Sequence, residues 1–245
     1  MNTFRIGGWT TANHLLAQLP PEEYERLSPY LEPVTLTIGD VIHYPQDPVT
    51  HVYFPNSGTV SVVATLEDGG GVEVGVVGNE GMFGVNAVLG SVTTPHEALV
   101  QQPGDGLRAP TDVIRQEFKK CGQLQDLILR YTQAFIIQIA QTAACNRSHP
   151  LGGRLARWLL MSHDRAMKDE LLLTHDFIAV MLGTRRAGVS EAAGKLQNDG
   201  VIKYKRGHIQ IVDRKGLESI SCECYPIVKK EFERLLGSNA QPYGN

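Results

Sequence analysis

The sequence predicts an α+β chain with an N-terminal small β-barrel, one long helix and a C-terminal winged helix-turn-helix. Three observations predict it. Between Val34 and Pro110, short β-rich runs alternate with turn residues. From Leu124 to Asn146 there is neither Gly nor Pro. From Thr174 to Ile211, two short helical patterns lead into a basic hairpin. A chain of 245 residues with 42% hydrophobic and 20% charged residues has ample material for a folded core.

The first element is a short helix. Pro20-Pro21-Glu22-Glu23 is a helix-start signal, because proline suits the first turn and acids favour the positive end of the helix dipole. Tyr24, Leu27 and Leu31 then recur at helical spacing. Strand-like runs follow at Val34–Ile38, Val52–Phe54, Val60–Val63 and Val72–Val74. Gly39-Asp40, Pro45, Asn56-Ser57-Gly58 and Asp68 to Gly71 supply turns between them. Such close spacing predicts a small barrel or sandwich ending near Pro110. Asp112 is the expected cap of the next segment. In the long helix, Leu124, Leu127, Ile128, Tyr131 and Phe135 form one stripe. Ile136, Ile137, Ala140, Ala143 and Ala144 occupy other faces, so this helix must be covered on several sides. It suits a central core helix or a dimer helix between its own barrel and a partner.

Thr174 is a good N-cap, and Phe177, Ile178 and Met181 make one face of a short helix. Leu182-Gly183-Thr184 is a tight connection to a second helix, on which Val189, Ala192, Ala193 and Leu196 face inward. The second helix opens with Thr184, Arg185, Arg186 and Ser190, whose donors suit guanine edges and phosphate oxygens. Two strand-like runs then flank a basic turn, with Lys203, Lys205 and Arg206 at phosphate-reaching positions and Gly207 able to take positive φ. From Pro150 to Lys215, twelve Lys or Arg stand against seven Asp or Glu. That segment carries +5 on a chain of net charge −3, which points to a polyanion partner for it alone.

No apolar run approaches the ~20 residues of a membrane helix, and the first residues lack a basic-then-apolar secretory pattern, so cytoplasmic residence is the default expectation. Cys121, Cys145, Cys222 and Cys224 are too few and scattered for a disulfide framework. On a helix, Cys222 and Cys224 would point to different faces, so reduced structural thiols and no metal site are expected.

These pieces together resemble the Crp/Fnr family of bacterial transcription regulators, from roughly Leu19 to Asp213. The resemblance rests on Gly39-Asp40-Val41-Ile42, Val52-Tyr53-Phe54 with Gly58, Gly78-Asn79-Glu80-Gly81-Met82-Phe83-Gly84, and Thr174 through Ile211. It implies a cyclic-nucleotide-binding-like sensor barrel of double-stranded β-helix type over residues 1–118. A dimerisation helix and linker would span 119–148, a winged helix-turn-helix 149–221, and a C-terminal helix and tail 222–245. It also implies a homodimer that binds double-stranded DNA with an inverted repeat and works with RNA polymerase, without catalysis.

By the same resemblance, the family's base-contacting Arg falls on Arg186. Its neighbouring Glu falls on Ala187 and a second Arg on Glu191, so a different operator is expected. The sensor also departs from the pattern. Gly78, Glu80, Gly81 and Gly84 form the candidate effector cassette, but Phe83-Gly84 is followed by Val85 where nucleotide-binding members have Glu. Pro95-His96-Glu97-Ala98 stands where they have Arg for the phosphate. The first cysteine is Cys121, so the N-terminal iron–sulfur cluster of other members has no ligands here. No cofactor, and no cyclic AMP in the usual mode, is therefore expected.

Two other readings stay open from residues alone. His43, His51 and His96 fall in the barrel-like region and could serve a metal-binding enzyme, although their spacing matches no ligand motif. A signal-binding module with a vestigial helix-turn-helix is the second, against which Arg185, Arg186 and the wing cations weigh.

Overall fold

The computed structural model describes residues 4–6, 9–67, 70–166 and 168–237. An N-terminal hairpin, β1 (Phe4–Ile6) and β2 (Trp9–Thr11), leads to two short helices, α1 (His14–Ala17) and α2 (Pro21–Leu27). Seven strands follow: β3 (Glu32–Leu36), β4 (Val41–His43), β5 (His51–Pro55), β6 (Thr59–Thr65), β7 (Gly71–Val77), β8 (His96–Gln102) and β9 (Gly104–Pro110). A short helix α3 (Val85–Val88) interrupts them.

The expected barrel or sandwich is formed by two antiparallel sheets, ordered β3-β9-β5 and β4-β8-β6-β7, which do not close into one continuous barrel. Pro103 explains the split. It has no N–H for the ladder, so the long β8–β9 run turns there, with β8 in one sheet and β9 in the other. Val60, Val62, Val77, Phe83, Ala98 and Val100 form an apolar cluster on the larger sheet, with Leu36 against it.

Four helices come next: α4 (Thr111–Phe118), α5 (Gln123–Ser148), α6 (Leu151–Ala166) and, after strand β10 (Glu170–Leu172), α7 (His175–Met181). Asp112 does not cap α4. The helix begins at Thr111 after Pro110, and Asp112 sits in its first turn, 3.4 Å from Arg115. Glu23 has a long-range role, because its two carboxylate oxygens accept from the amides of Gln123 and Leu124, both at 2.8 Å. It thereby satisfies donors that the start of α5 leaves open and places an acid at its positive end.

Along α5, Leu124, Leu127, Ile128 and Tyr131 are fully buried within the chain. Two glycines, Gly75 on β7 and Gly81 in the loop after it, admit this helix. A Cβ on Gly81 would lie 2.1 Å from the Tyr131 ring, and one on Gly75 would lie 2.7 Å from Phe135. The chain ends with α8 (Arg186–Asn198), β11 (Ile202–Lys205), β12 (His208–Ile211), α9 (Arg214–Ile220) and α10 (Cys224–Leu236). Strand β10 joins the β11–β12 hairpin as a third strand, in the order β10-β12-β11. Helix α10 packs on α5. No helix among the described residues is long and apolar enough to cross a membrane.

Candidate nucleic-acid interface

The helix-turn-helix is built from its caps outward. The Thr174 hydroxyl accepts from the Phe177 amide at 3.2 Å and so starts α7. Gly183, at φ 56°, makes the turn. Val189, Ala192, Ala193 and Leu196 of α8 are buried, which leaves the opposite side of the helix outward. Arg185 is the cap residue of α8 and Arg186 its first residue, which leaves Thr184 in the connection before the helix. Arg185, Arg186, Ala187 and Ser190 are exposed, and Thr184 is half-buried. Arg186 stands 3.4 Å from Asp176 in an ion pair exposed on both sides, which is weak and readily exchanged for another acceptor.

The wing lies beside this helix. Lys203 and Lys205 are two residues apart on β11 and share a face. With Arg206, Glu170, His208 and Gln210 they line an open groove of about 440 Å³. The hairpin turn places Arg206 at φ 49° and Gly207 at φ 84°. Two residues that the sequence reading passed over hold the interface together. His175 stacks on Tyr204 with ring centroids 4.0 Å apart, and its Nδ1 lies 2.9 Å from the Ser190 hydroxyl. The start of α7, the outer face of α8 and the wing are thus joined through one side chain. Only the position of His175 directly after the cap residue hinted at this.

The effector cassette divides. Gly78, Glu80 and Gly81 face the helices rather than a cavity. Glu80 and Arg165 of α6 form a wholly buried ion pair at 2.7 Å, and a Cβ on Gly78 would strike both side chains at 2.7 Å. Gly84 does line a cavity, together with Val85, Asn86, Thr94 and His96. The two stretches matched to the nucleotide cassette therefore meet. The cavity measures about 110 Å³, is walled by Val62, Val74, Val77, Met82, Phe83, Phe135 and Ile139, and has no Lys or Arg in its lining. Drug-sized ligands occupy pockets of about 300–1,000 Å³. His43, His51 and His96 do not form a ligand group. Among the described residues, the potential ligands that converge are Cys145, His149, Cys222 and Cys224. Cys222 precedes α10 rather than lying on it, so helical spacing does not separate it from Cys224.

A third set of contacts ties α6 to the larger sheet. The Glu73 carboxyl accepts from the Trp158 indole at 3.0 Å and from the Ser61 hydroxyl at 2.6 Å. The Ser61 hydroxyl, with one proton to give, also lies 3.1 Å from the Gln101 side-chain oxygen, and the Gln101 amide donates to the Ser162 hydroxyl at 2.8 Å. Burial pushes the Glu73 carboxyl up to about 7, against the lowering effect of Ser61, Trp158, Arg157 and Arg165.

Comparison with known proteins agrees with this arrangement. The profile of the cyclic nucleotide-binding domain matches residues 33–121, and that of the Crp-like helix-turn-helix domain matches residues 153–220. The transcriptional regulator SdrP of Thermus thermophilus is 28% identical over 78% of this chain and 94% of its own length. A global nitrogen regulator of Nostoc sp. is 26% identical over 72% of this chain and 83% of its own. FixK2 of Bradyrhizobium japonicum superposes with a TM-score of 0.67 at 16% identity, over 78% of this chain and 98% of that one, and shares the fold. A sensor-like sandwich joined by a long helix to a winged helix-turn-helix defines a DNA-binding transcription regulator. The chain belongs to the Crp/Fnr family of transcription regulators.

Proposed function

We propose that the protein acts as a homodimer that reads an inverted-repeat DNA site through α8, with the wing on the phosphate backbone. The observation that carries this reading is the exposed cationic start of α8 set beside the cationic wing. In this reading Arg186 leaves Asp176 and bonds a guanine at two acceptors. Arg185, Ser190 and Thr184 contact neighbouring base edges or phosphates, Thr174 lies at the phosphate edge of α7, and Lys203, Lys205 and Arg206 follow the backbone. Dimerisation is supported by the outer side of α5. Leu129 and Ile136 are 48% and 59% exposed, and Ala140 and Ala143 continue their seam at alternating steps of four and three residues. Two-fold symmetry then sets half-sites about 10–10.5 base pairs apart, and at a promoter such a dimer meets RNA polymerase. The sensor works without cyclic AMP in the family's usual mode, because a buried phosphate needs a cation or dense donors and the Gly84 cavity supplies no cation.

Selection of binding sites from random DNA tests the assignment. The wild-type protein should recover an inverted repeat. Arg186→Ala should cost about 1–3 kcal/mol on that site and relax one position in each half. Lys205→Ala and Arg206→Ala should weaken binding alike on every sequence and lower the salt slope by about one unit. An unchanged motif with Arg186→Ala would remove the base-reading role.

A further inference from the structure

The ends of three helical segments bring four metal-ligating side chains together away from both sites described above. Cys145 lies in the last turn of α5, His149 directly after that helix, Cys222 in the link behind α9, and Cys224 at the first position of α10. One ligand atom from each lies within 4.8 Å of all the others. The Cys145 and Cys222 sulfurs are 3.4 Å apart, and Cys224 Sγ is 3.4 Å from His149 Nδ1.

Those two separations lie within about 0.4 Å of the edges of a metal tetrahedron, and the others fall within 4.8 Å. With Zn–S near 2.3 Å and Zn–N near 2.0–2.1 Å, a tetrahedral site has S···S edges of about 3.8 Å and S···N edges of about 3.6 Å. A disulfide would account for less. It would use two of the thiols and leave the third sulfur and the imidazole without a role. An iron–sulfur cluster spreads its ligands over two or more irons and needs them farther apart than this.

The surroundings are those of a ligand set. His149 Nε2 lies 3.1 Å from the Glu223 carboxylate. That partner favours the tautomer with its proton on Nε2 and leaves the Nδ1 lone pair facing the thiols, which is the carboxylate–histidine pairing common behind metal sites. The Gln141 amide donates to Cys224 Sγ at 3.1 Å. Arg154 and Arg157 place positive potential at Cys145, which offsets the net charge of three thiolates around a divalent ion. Cys145 and Cys224 are buried, and His149 and Cys222 are half-buried, so the site is closed by protein on most sides.

We infer that Cys145, His149, Cys222 and Cys224 form a mononuclear tetrahedral zinc site that clamps the end of α5 to the links around α6 and α10. Four protein ligands leave no open position, so the metal is structural rather than catalytic. Its effect is mechanical. It fixes the α5–α6 junction, through which the DNA-binding part is attached to the long helix.

Metal content of the full-length protein, purified under reducing conditions, tests this directly. About one zinc per chain should survive gel filtration, and cobalt exchanged into the site should give intense tetrahedral d–d and thiolate charge-transfer bands. Cys222→Ser and Cys224→Ser should lose most of the zinc and those bands, whereas Cys121→Ser should keep both. Protein that retains no stoichiometric zinc, an octahedral cobalt spectrum, iron recovered with acid-labile sulfide, or a Cys145–Cys222 disulfide in metal-free protein would each overturn the assignment. Because the first reading is the metal content of the unmutated protein, a variant that fails to fold does not obscure the result.

Discussion

Arg165→Met removes one half of the buried pair with Glu80 and keeps the length and most of the apolar volume of the side chain. Both side chains of the pair are wholly buried, and Arg165 also donates to the Met161 carbonyl at 2.9 Å. The substitution leaves the Glu80 carboxylate in the interior without its cation. Breaking a buried pair in this way costs about 3–5 kcal/mol, mostly as the penalty of the stranded charge. For a chain of this size each kcal/mol moves the melting midpoint by roughly 2–4 °C, so a fall of about 6–20 °C is expected. Glu80→Gln should cost less, since the amide oxygen can still accept from the guanidinium. The double variant should recover part of the loss, with a coupling of about 1–3 kcal/mol, because no charge is then left buried. Urea titrations of the four proteins measure the cycle. A loss below about 1 kcal/mol for Arg165→Met, or strictly additive losses, would show that the pair is solvated in solution and not a buried ion pair.

Three further outcomes are expected. The Glu73 carboxyl, raised to about 7 from 4.5, binds its proton more tightly in the folded state than in the unfolded one, so stability should fall as pH rises across that window, by about 3 kcal/mol in total. Urea midpoints on either side of the window measure the fall, and Glu73→Gln should abolish most of it. Ile136→Glu puts a charge on the exposed seam of α5 and should turn a dimer into monomers by sedimentation at micromolar concentration; an unchanged dimer would place the partner surface elsewhere. Calorimetry with cyclic AMP should show no low-micromolar binding, and such binding would mean that the Gly84 cavity opens and finds a phosphate partner that its present lining lacks.

What sequence could reach depended on distance along the chain. The winged helix-turn-helix was legible because its signals are local: the Thr174 cap, the Gly183 turn, inward residues at helical spacing and cations at the helix start and hairpin. The long helix was equally plain from its lack of Gly and Pro. The sheet split at Pro103 was less so, since a strand run that changes sheet keeps its β-rich composition. Glu80 was read as an effector residue because its partner, Arg165, lies 85 positions away. The thiol–imidazole cluster was missed for a similar reason, as Cys145 and Cys222 are 77 positions apart. Helical spacing does not separate Cys222 from Cys224, because Cys222 lies in the link before α10. Periodicity reports which face a residue takes within one element, and carries no information about which element lies opposite.

Several of the contacts that sequence could not show share one element. At its first turns α6 lies beside Cys222, since a Cβ on Gly153 would stand 3.6 Å from the Cys222 amide. In its middle, Trp158 bonds Glu73 of β7 and Ser162 bonds Gln101 of β8. At its end, Arg165 bonds Glu80 in the loop after β7. The other side of α6 packs on α8 and α9. The helix beneath the recognition helix is therefore fixed to the larger sheet along its length by buried polar bonds, which have narrow geometry and are costly to leave unmade. A shift of β7 or β8 has to be followed by α6 or has to break one of these bonds, and α8 rides on α6. Coupling between sensor and DNA-binding parts thus needs no ligand that spans the two. A change that moved the sheet would reach the start of α8 through the polar contacts of α6.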